Sequence, residues 1–144
     1  MKIFIITSYF NPEVTIGDAI ESVLSQTYPD IEYIVIDRAS KNGSQAVVQR
    51  YKEGIAQIIS ERDRGMHEVI NKGLKRATGD IIGLIHSDDF LFSKETIAHI
   101  VRKFEETDAD LMYSNRLFVN AKDIETYGIP QLRKFVTEIL NRPI

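Results

Sequence analysis

Asp88 and Asp89 stand side by side directly after the apolar run Ile81–His86. Adjacent carboxylates repel each other unless a cation or hydrogen-bond donors compensate them. Hard divalent ions such as Mg²⁺ and Mn²⁺ take oxygen ligands and are commonly held by one or two carboxylates together with substrate phosphates. A solvated turn ahead of the next helix is the plainer reading of the same pair. Asp37 closes a second apolar run, Glu32–Asp37, where a carboxylate can accept hydrogen bonds from a base or ribose or cap the turn that follows. A third polar segment, Glu61-Arg62-Asp63-Arg64-Gly65, opens onto a helical pattern. Its arginines and the helix amides suit phosphate oxygens, and a solvated ion-pair cluster is the alternative. Asn71 and Lys72, farther along that pattern, are ligand contacts or exposed polar positions.

Other chemistries lack their signatures. There is no G-x-G-x-x-G, no G-x-x-x-x-G-K-[ST] and no G-x-S-x-G, so dinucleotide, P-loop and serine-hydrolase readings have no anchor. His67, His86 and His99 have no metal-ligand spacing, although His86 sits beside the acids. The absence of cysteine removes disulfides, thiolate metal sites and a cysteine nucleophile. A receiver-like phosphoacceptor domain would carry its acidic pair after the first strand, where this chain has Ser8-Tyr9-Phe10.

The elements that must position these residues alternate between two periodicities. Lys2–Ser8, Glu32–Asp37, Ala56–Ser60, Asp80–His86 and Asp110–Ser114 are short apolar runs that read as strands. Between them, Ile16, Ala19, Ile20, Val23 and Leu24 share a helical face, and Thr15 with Asp18 makes a capping box. Further helices use Ala46, Val47 and Tyr51; then Gly65–Ala77; then, after Ser93, Ile97, Ile100, Val101 and Phe104. This alternation predicts an α/β fold: a mostly parallel sheet with helices on both faces, joined by right-handed crossovers. Ligands in such sheets sit beyond the carboxyl ends of the strands. Those ends are Thr7–Asn11, Asp37–Ser44, Glu61–Gly65 and Ser87–Phe90, and all four are polar or charged.

At 144 residues, with 43% hydrophobic and 27% charged residues, the chain has the size and make-up of one ordinary globular domain. A formal charge of -3 gives no general attraction to nucleic acid. No stretch approaches the ~18 apolar residues of a spanning helix. The opening Met1–Ser8 is too short and too lightly charged for a signal peptide. The expectation is a cytoplasmic protein.

In order and spacing these segments resemble family 2 glycosyltransferases with the GT-A fold. Ile5-Ile6-Thr7-Ser8-Tyr9-Phe10-Asn11 resembles that family's first strand and nucleotide loop, and Ser22-Val23-Leu24-Ser25-Gln26-Thr27-Tyr28 looks like its first helix. Asp37–Ser44 is similar to its D-G-x-S-x-D-G-T loop. Asp63-Arg64-Gly65, Asn71-Lys72-Gly73 and Ala77-Thr78-Gly79-Asp80 are similar to its donor-site loop and helix, and Ser87-Asp88-Asp89 to its acidic motif. The resemblance implies binding of a nucleotide-diphospho-sugar, a UDP-sugar, with inverting transfer to a glycan acceptor in surface polysaccharide synthesis. It implies that Thr7, Ser8 and Tyr9 line the nucleobase pocket and that Asp37 hydrogen-bonds the base. By the same resemblance Asp63, Arg64 and Asn71 hold the nucleotide, Asp88 lies near the ribose or donor sugar, and Asp89 coordinates Mn²⁺ or Mg²⁺. The expected location is the cytoplasm, with attachment to the inner membrane face through partners as the alternative.

Three departures qualify the resemblance. Arg38 stands where the family usually has glycine, Asn42 replaces the usual second acid of that loop, and Tyr113-Ser114-Asn115 differs from a common Y-G-D. The expected organisation is a donor-binding domain over 1–120 and a C-terminal extension over 121–144, truncated before an acceptor-side region. In full-length relatives an acidic segment beyond this point supplies the general base. Asp123, Glu125 and Glu138 do not match it, so no catalytic base is assigned. Leu132, Phe135, Val136, Ile139 and Leu140 form an amphipathic helical pattern, a candidate contact for a homo-oligomer or a partner subunit. An incomplete donor-binding module that needs a partner chain is the competing expectation.

Overall fold

Ile3, Phe4, Ile5 and Ile6 are all buried in succession along the first strand, β1 (Ile3–Tyr9). Successive residues of a strand point to opposite faces, so both faces of β1 are covered, as a parallel sheet requires. The computed structural model describes residues 1–62, 65–107 and 109–113. After β1 come α1 (Ile16–Leu24), β2 (Ile31–Asp37), α2 (Ser44–Gln49) and a 3₁₀ turn at Lys52–Gly54. They are followed by β3 (Gln57–Ser60), α3 (Met66–Leu74), β4 (Ile81–Leu84) and α4 (Thr96–Glu106). The four strands make one parallel sheet in the order β3-β2-β1-β4.

The sheet is built outward from its two longest strands. β1 and β2 pair from Ile3 opposite Ile31 to Tyr9 opposite Asp37, so their carboxyl ends finish level. On one face Phe4, Ile6, Ile34 and Ile36 pack with Val69 of α3, with Ile59 and Ala77 against them. On the other, Ile3, Ile5, Tyr33 and Val35 are equally buried. The buried stripe of α1 is Ile16, Ala19, Ile20 and Val23, spaced as one helical face demands. Each such aliphatic side chain stabilises the fold by about 1.5–3 kcal/mol.

α3 ends sooner than its apolar pattern predicts. Past Leu74 the Arg76 and Ala77 amides donate to the carbonyls of Gly73 and Leu74, a tightened final turn. Gly79 then lets the chain lie against β1: a Cβ there would meet the Lys2 carbonyl oxygen at 2.8 Å and the Phe4 nitrogen at 2.9 Å. The Asp80 amide donates to that same Lys2 carbonyl at 2.8 Å, which starts β4 in register. The stop signal of one helix is therefore also the close contact that seats the next strand.

Two local expectations are corrected. Thr15 makes no side-chain cap to α1, because its backbone is already helical (φ -100°, ψ -23°). The amides of Thr15 and Ile16 instead donate to the Pro12 carbonyl, so the chain enters the helix through a turn and the capping box does not form. Residues 110–113 of the expected fifth strand are not strand, and Ser114 lies outside the described residues. The amphipathic pattern from Leu132 to Leu140 lies outside them too. Met1–Ala98 forms one compact unit, and a second begins at His99, within α4. Among the described residues no helix is long and apolar enough to cross a membrane.

Candidate functional site

From β1 the chain builds outward through β2 to β3, then crosses back to place β4 on the other side of β1. The strand order reverses between β1 and β4, and a crevice opens at the carboxyl ends of strands at such a point. A pocket lies there. Ser8, Tyr9 and Phe10 come from the end of β1, Arg38 follows β2, Met66 starts α3, and His86, Ser87 and Asp88 follow β4. Three of the four strand ends singled out in the sequence thus contribute to one cavity.

The β2 side of this site is heavily bonded. Asp37 is fully buried, and its carboxylate accepts from the Ser40 amide at 2.8 Å, from Ser60 Oγ at 2.8 Å and from the Gln45 side-chain amide. Burial pushes the Asp37 carboxyl up, but the hydrogen bonds from Ser40, Gln45 and Ser60 together outweigh it and hold the group below the usual carboxylate range. Burial also pushes the Tyr9 phenol up, and the charge of Asp37 adds to that shift. Asn11 laces the β1 loop to the β2 loop. Its amide donates to Ser40 Oγ at 3.0 Å, its Oδ1 accepts from the Lys41 amide at 2.9 Å, and its carbonyl accepts from Asn42 Nδ2 at 3.0 Å. The Arg38 amide closes the set by donating to the Tyr9 carbonyl at 2.9 Å.

This loop has a left-handed residue at Ala39 (φ 59°). The left-handed backbone that favours glycine thus falls at Ala39 and not at Arg38. Arg38 serves differently: its guanidinium lies 5.7 Å from the centre of the Phe10 ring, and both residues line the pocket.

The remaining sequence candidates separate. Ser8, Tyr9 and Asp88 line the pocket. Thr7 is fully buried, and its hydroxyl accepts from Tyr33 Oη at 2.9 Å, so it stands behind the pocket wall. Asn71 is exposed on α3. Lys72 is paired with Glu61 at 3.1 Å and Glu68 at 3.5 Å, and the bond to Glu61 raises its pKa. Asp63 and Arg64 lie outside the described residues. Gln45 and Ser60, the partners of Asp37, carried no signal in the sequence, since only the fold brings positions 37, 45 and 60 together.

The acidic pair was tested as a metal donor set. Asp88 faces the pocket, and the Asp89 amide closes the turn by donating to the His86 carbonyl at 3.1 Å. Among the described residues no group of three or more His, Asp or Glu side chains could hold an ion. A closed structural site does not fit. Carboxylates at a pocket rim do fit an ion whose other ligands are phosphate oxygens, the usual arrangement for Mg²⁺ or Mn²⁺.

A parallel sheet with a pocket at its reversal point, lined on one side by Asp88, is the form of a GT-A fold. The family model for glycosyl transferase family 2 matches residues 4–142, and the chain belongs to that family. It is 28% identical over 141 residues to the glycosyltransferase EpsJ of Bacillus subtilis, covering 96% of this chain and 40% of that protein. The structure of Staphylococcus aureus TarS in complex with UDP-GlcNAc matches with a TM-score of 0.71 and 25% identity, covering 76% of this chain and 33% of that one. The mannosyltransferase PcManGT from Pyrobaculum calidifontis, in complex with GDP-Man and Mn²⁺, matches with a TM-score of 0.65 and 27% identity, covering 70% and 31%. The chain thus spans 40% or less of the length of these relatives.

Proposed function

We propose that this chain binds a nucleotide-diphospho-sugar, a UDP-sugar, in the β1/β4 pocket and presents it for inverting transfer to a glycan acceptor. The observation that carries the reading is the coincidence of three things at the strand-order reversal: the Ser8–Phe10 wall, Arg38, and the acidic turn bearing Asp88. Ser8 and Tyr9 form the nucleobase side, with Thr7 behind them. Asp37 fixes the loop that walls the base, and it accepts from a base N–H where Gln45 yields its place. Asp63, Arg64 and Asn71 hold the nucleotide. Asp88 lies by the ribose or sugar, and Asp89 holds Mn²⁺ or Mg²⁺ jointly with the diphosphate. The chemistry the ion supplies when bound is neutralisation of charge on the leaving diphosphate. In the transfer the acceptor oxygen bonds to the anomeric carbon, the bond to the diphosphate breaks, and the hydroxyl proton passes to a base that no described residue is assigned to be.

The complexes of TarS with UDP-GlcNAc and of PcManGT with GDP-Man support a nucleotide-sugar ligand, with uracil in one and guanine in the other. The likeness to TarS, a poly(ribitol-phosphate) β-N-acetylglucosaminyltransferase, supports a role in surface polysaccharide synthesis. Calorimetric titration of UDP with Mn²⁺, repeated in chelator and with GDP, tests the reading. Saturable binding that needs metal and that Asp89→Ala abolishes is expected. Full affinity in chelator would remove the ion, and tighter GDP than UDP would replace uracil by guanine.

A further inference from the structure

The acidic turn is held at its two ends by different parts of the fold. Its leading end continues from β4, where the Ile85 amide donates to the Ile6 carbonyl at 3.1 Å. Its trailing end is tied to α1 and the residues just after it. Ser22 Oγ accepts from the Leu91 amide at 3.0 Å while donating to the Ala19 carbonyl at 2.8 Å. Gln26 Nε2 donates to the Ser22 carbonyl at 2.9 Å and to the Ser93 carbonyl at 2.7 Å, and its Oε1 accepts from the Ile97 amide at 2.9 Å. The Thr27 amide adds a bond to the Lys94 carbonyl at 2.8 Å.

We infer that Gln26, seconded by Ser22, is a positioning residue that sets where the turn bearing Asp88 and Asp89 stands beside the pocket. Gln26 uses both amide protons and its carbonyl oxygen on backbone groups at 22, 93 and 97. A carboxylate in its place would turn two donors into acceptors facing two carbonyls, and an aliphatic side chain would remove one bond from each of the Ser22 and Ser93 carbonyls and the side-chain acceptor of the Ile97 amide. The span from Asp89 to Leu91 is two residues, so a shift of the Leu91–Ile97 anchor is passed directly to the acids. This inference rests on the nucleotide-sugar reading, in which Asp89 of that turn holds a divalent ion and Asp88 lies by the ribose or sugar. Residues behind metal ligands typically change metal affinity by about 10–100-fold when removed.

The experiment is a titration of Mn²⁺ at saturating UDP, and of UDP in chelator, for wild type, Gln26→Glu and Ser22→Ala, with thermal melting as the fold control. Gln26→Glu is expected to raise the Mn²⁺ concentration for half-maximal UDP binding by about tenfold. Ser22→Ala should raise it by less, and neither should move the weak metal-free binding of UDP by the same factor. Unchanged Mn²⁺ dependence, or an equal loss with and without metal, overturns the positioning role. Should Gln26→Glu fail to fold, Ser22→Ala decides by the same criterion. Wild-type protein with no metal-dependent binding overturns the nucleotide-sugar reading and this inference together, whereas normal wild-type binding with an unaffected variant overturns only the inference.

Discussion

The two carboxylate regions of the pocket are built on opposite plans. Asp37 is sealed behind the β2 loop with its oxygens answered by Ser40, Gln45 and Ser60, and the loop is laced to the β1 end through Asn11. Asp88 stands exposed at the rim, on a turn closed by the bond from the Asp89 amide to the His86 carbonyl. One carboxylate has its hydrogen bonds supplied within the fold, and the other is exposed along the pocket. A buried charge is tolerable only when its hydrogen bonds are supplied internally, while an exposed carboxylate keeps lone pairs available to a ligand.

The sharpest test of this contrast is stability. Asp37→Ala removes the acceptor of several donors and should lower the unfolding free energy by about 2–3 kcal/mol. Asp88→Ala should change it by no more than about 0.5 kcal/mol. Urea unfolding of both variants measures the pair of effects, and equal losses would abolish the distinction.

Acid offers a second, smaller test. The folded Asp37 carboxyl titrates below its ordinary value of 3.8, so the unfolded chain takes up the proton first. The stability this group contributes is complete above a pH of about 4 and is lost as the pH falls through the lower folded value. Unfolding free energies at neutral and acid pH should therefore differ more in wild type than in Asp37→Asn. An identical acid loss in both would place the sensitivity elsewhere.

The smallest expected effect concerns the strained residue of the bonded loop. Ala39→Gly relieves a left-handed alanine while adding freedom to the unfolded chain, for a net gain of about 0.5–1 kcal/mol. Chemical denaturation reads it directly, and a loss would mean that the surrounding bonds, not the residue, set that conformation.

The same contrast explains what the sequence disclosed. The four strands were legible because each is a short apolar run, and three of the four polar strand ends line the pocket. Element ends were less legible: β4 stops at Leu84 and not at His86, because its pairing with β1 ends there. The capping box at Thr15 failed because the Pro12 carbonyl had already taken the helix's first amides. Hidden altogether were relations between distant positions, such as Gln45 and Ser60 on Asp37, or Gln26 on Ser93 and Ile97. Those depend on register and on helix packing, which no local pattern encodes.

The strand order also governs how the chain is made. β1 is made before the other strands of the sheet, yet it lies between β2, which begins at Ile31, and β4, which begins only at Ile81. At about 5–20 residues per second, the nascent chain carries one open edge of its most apolar strand for several seconds. Pairings between such distant segments are slow to close, and an unpaired apolar edge invites the wrong partner. The arrangement that creates the pocket between β1 and β4 thus also makes the newborn chain dependent on prompt completion of its sheet.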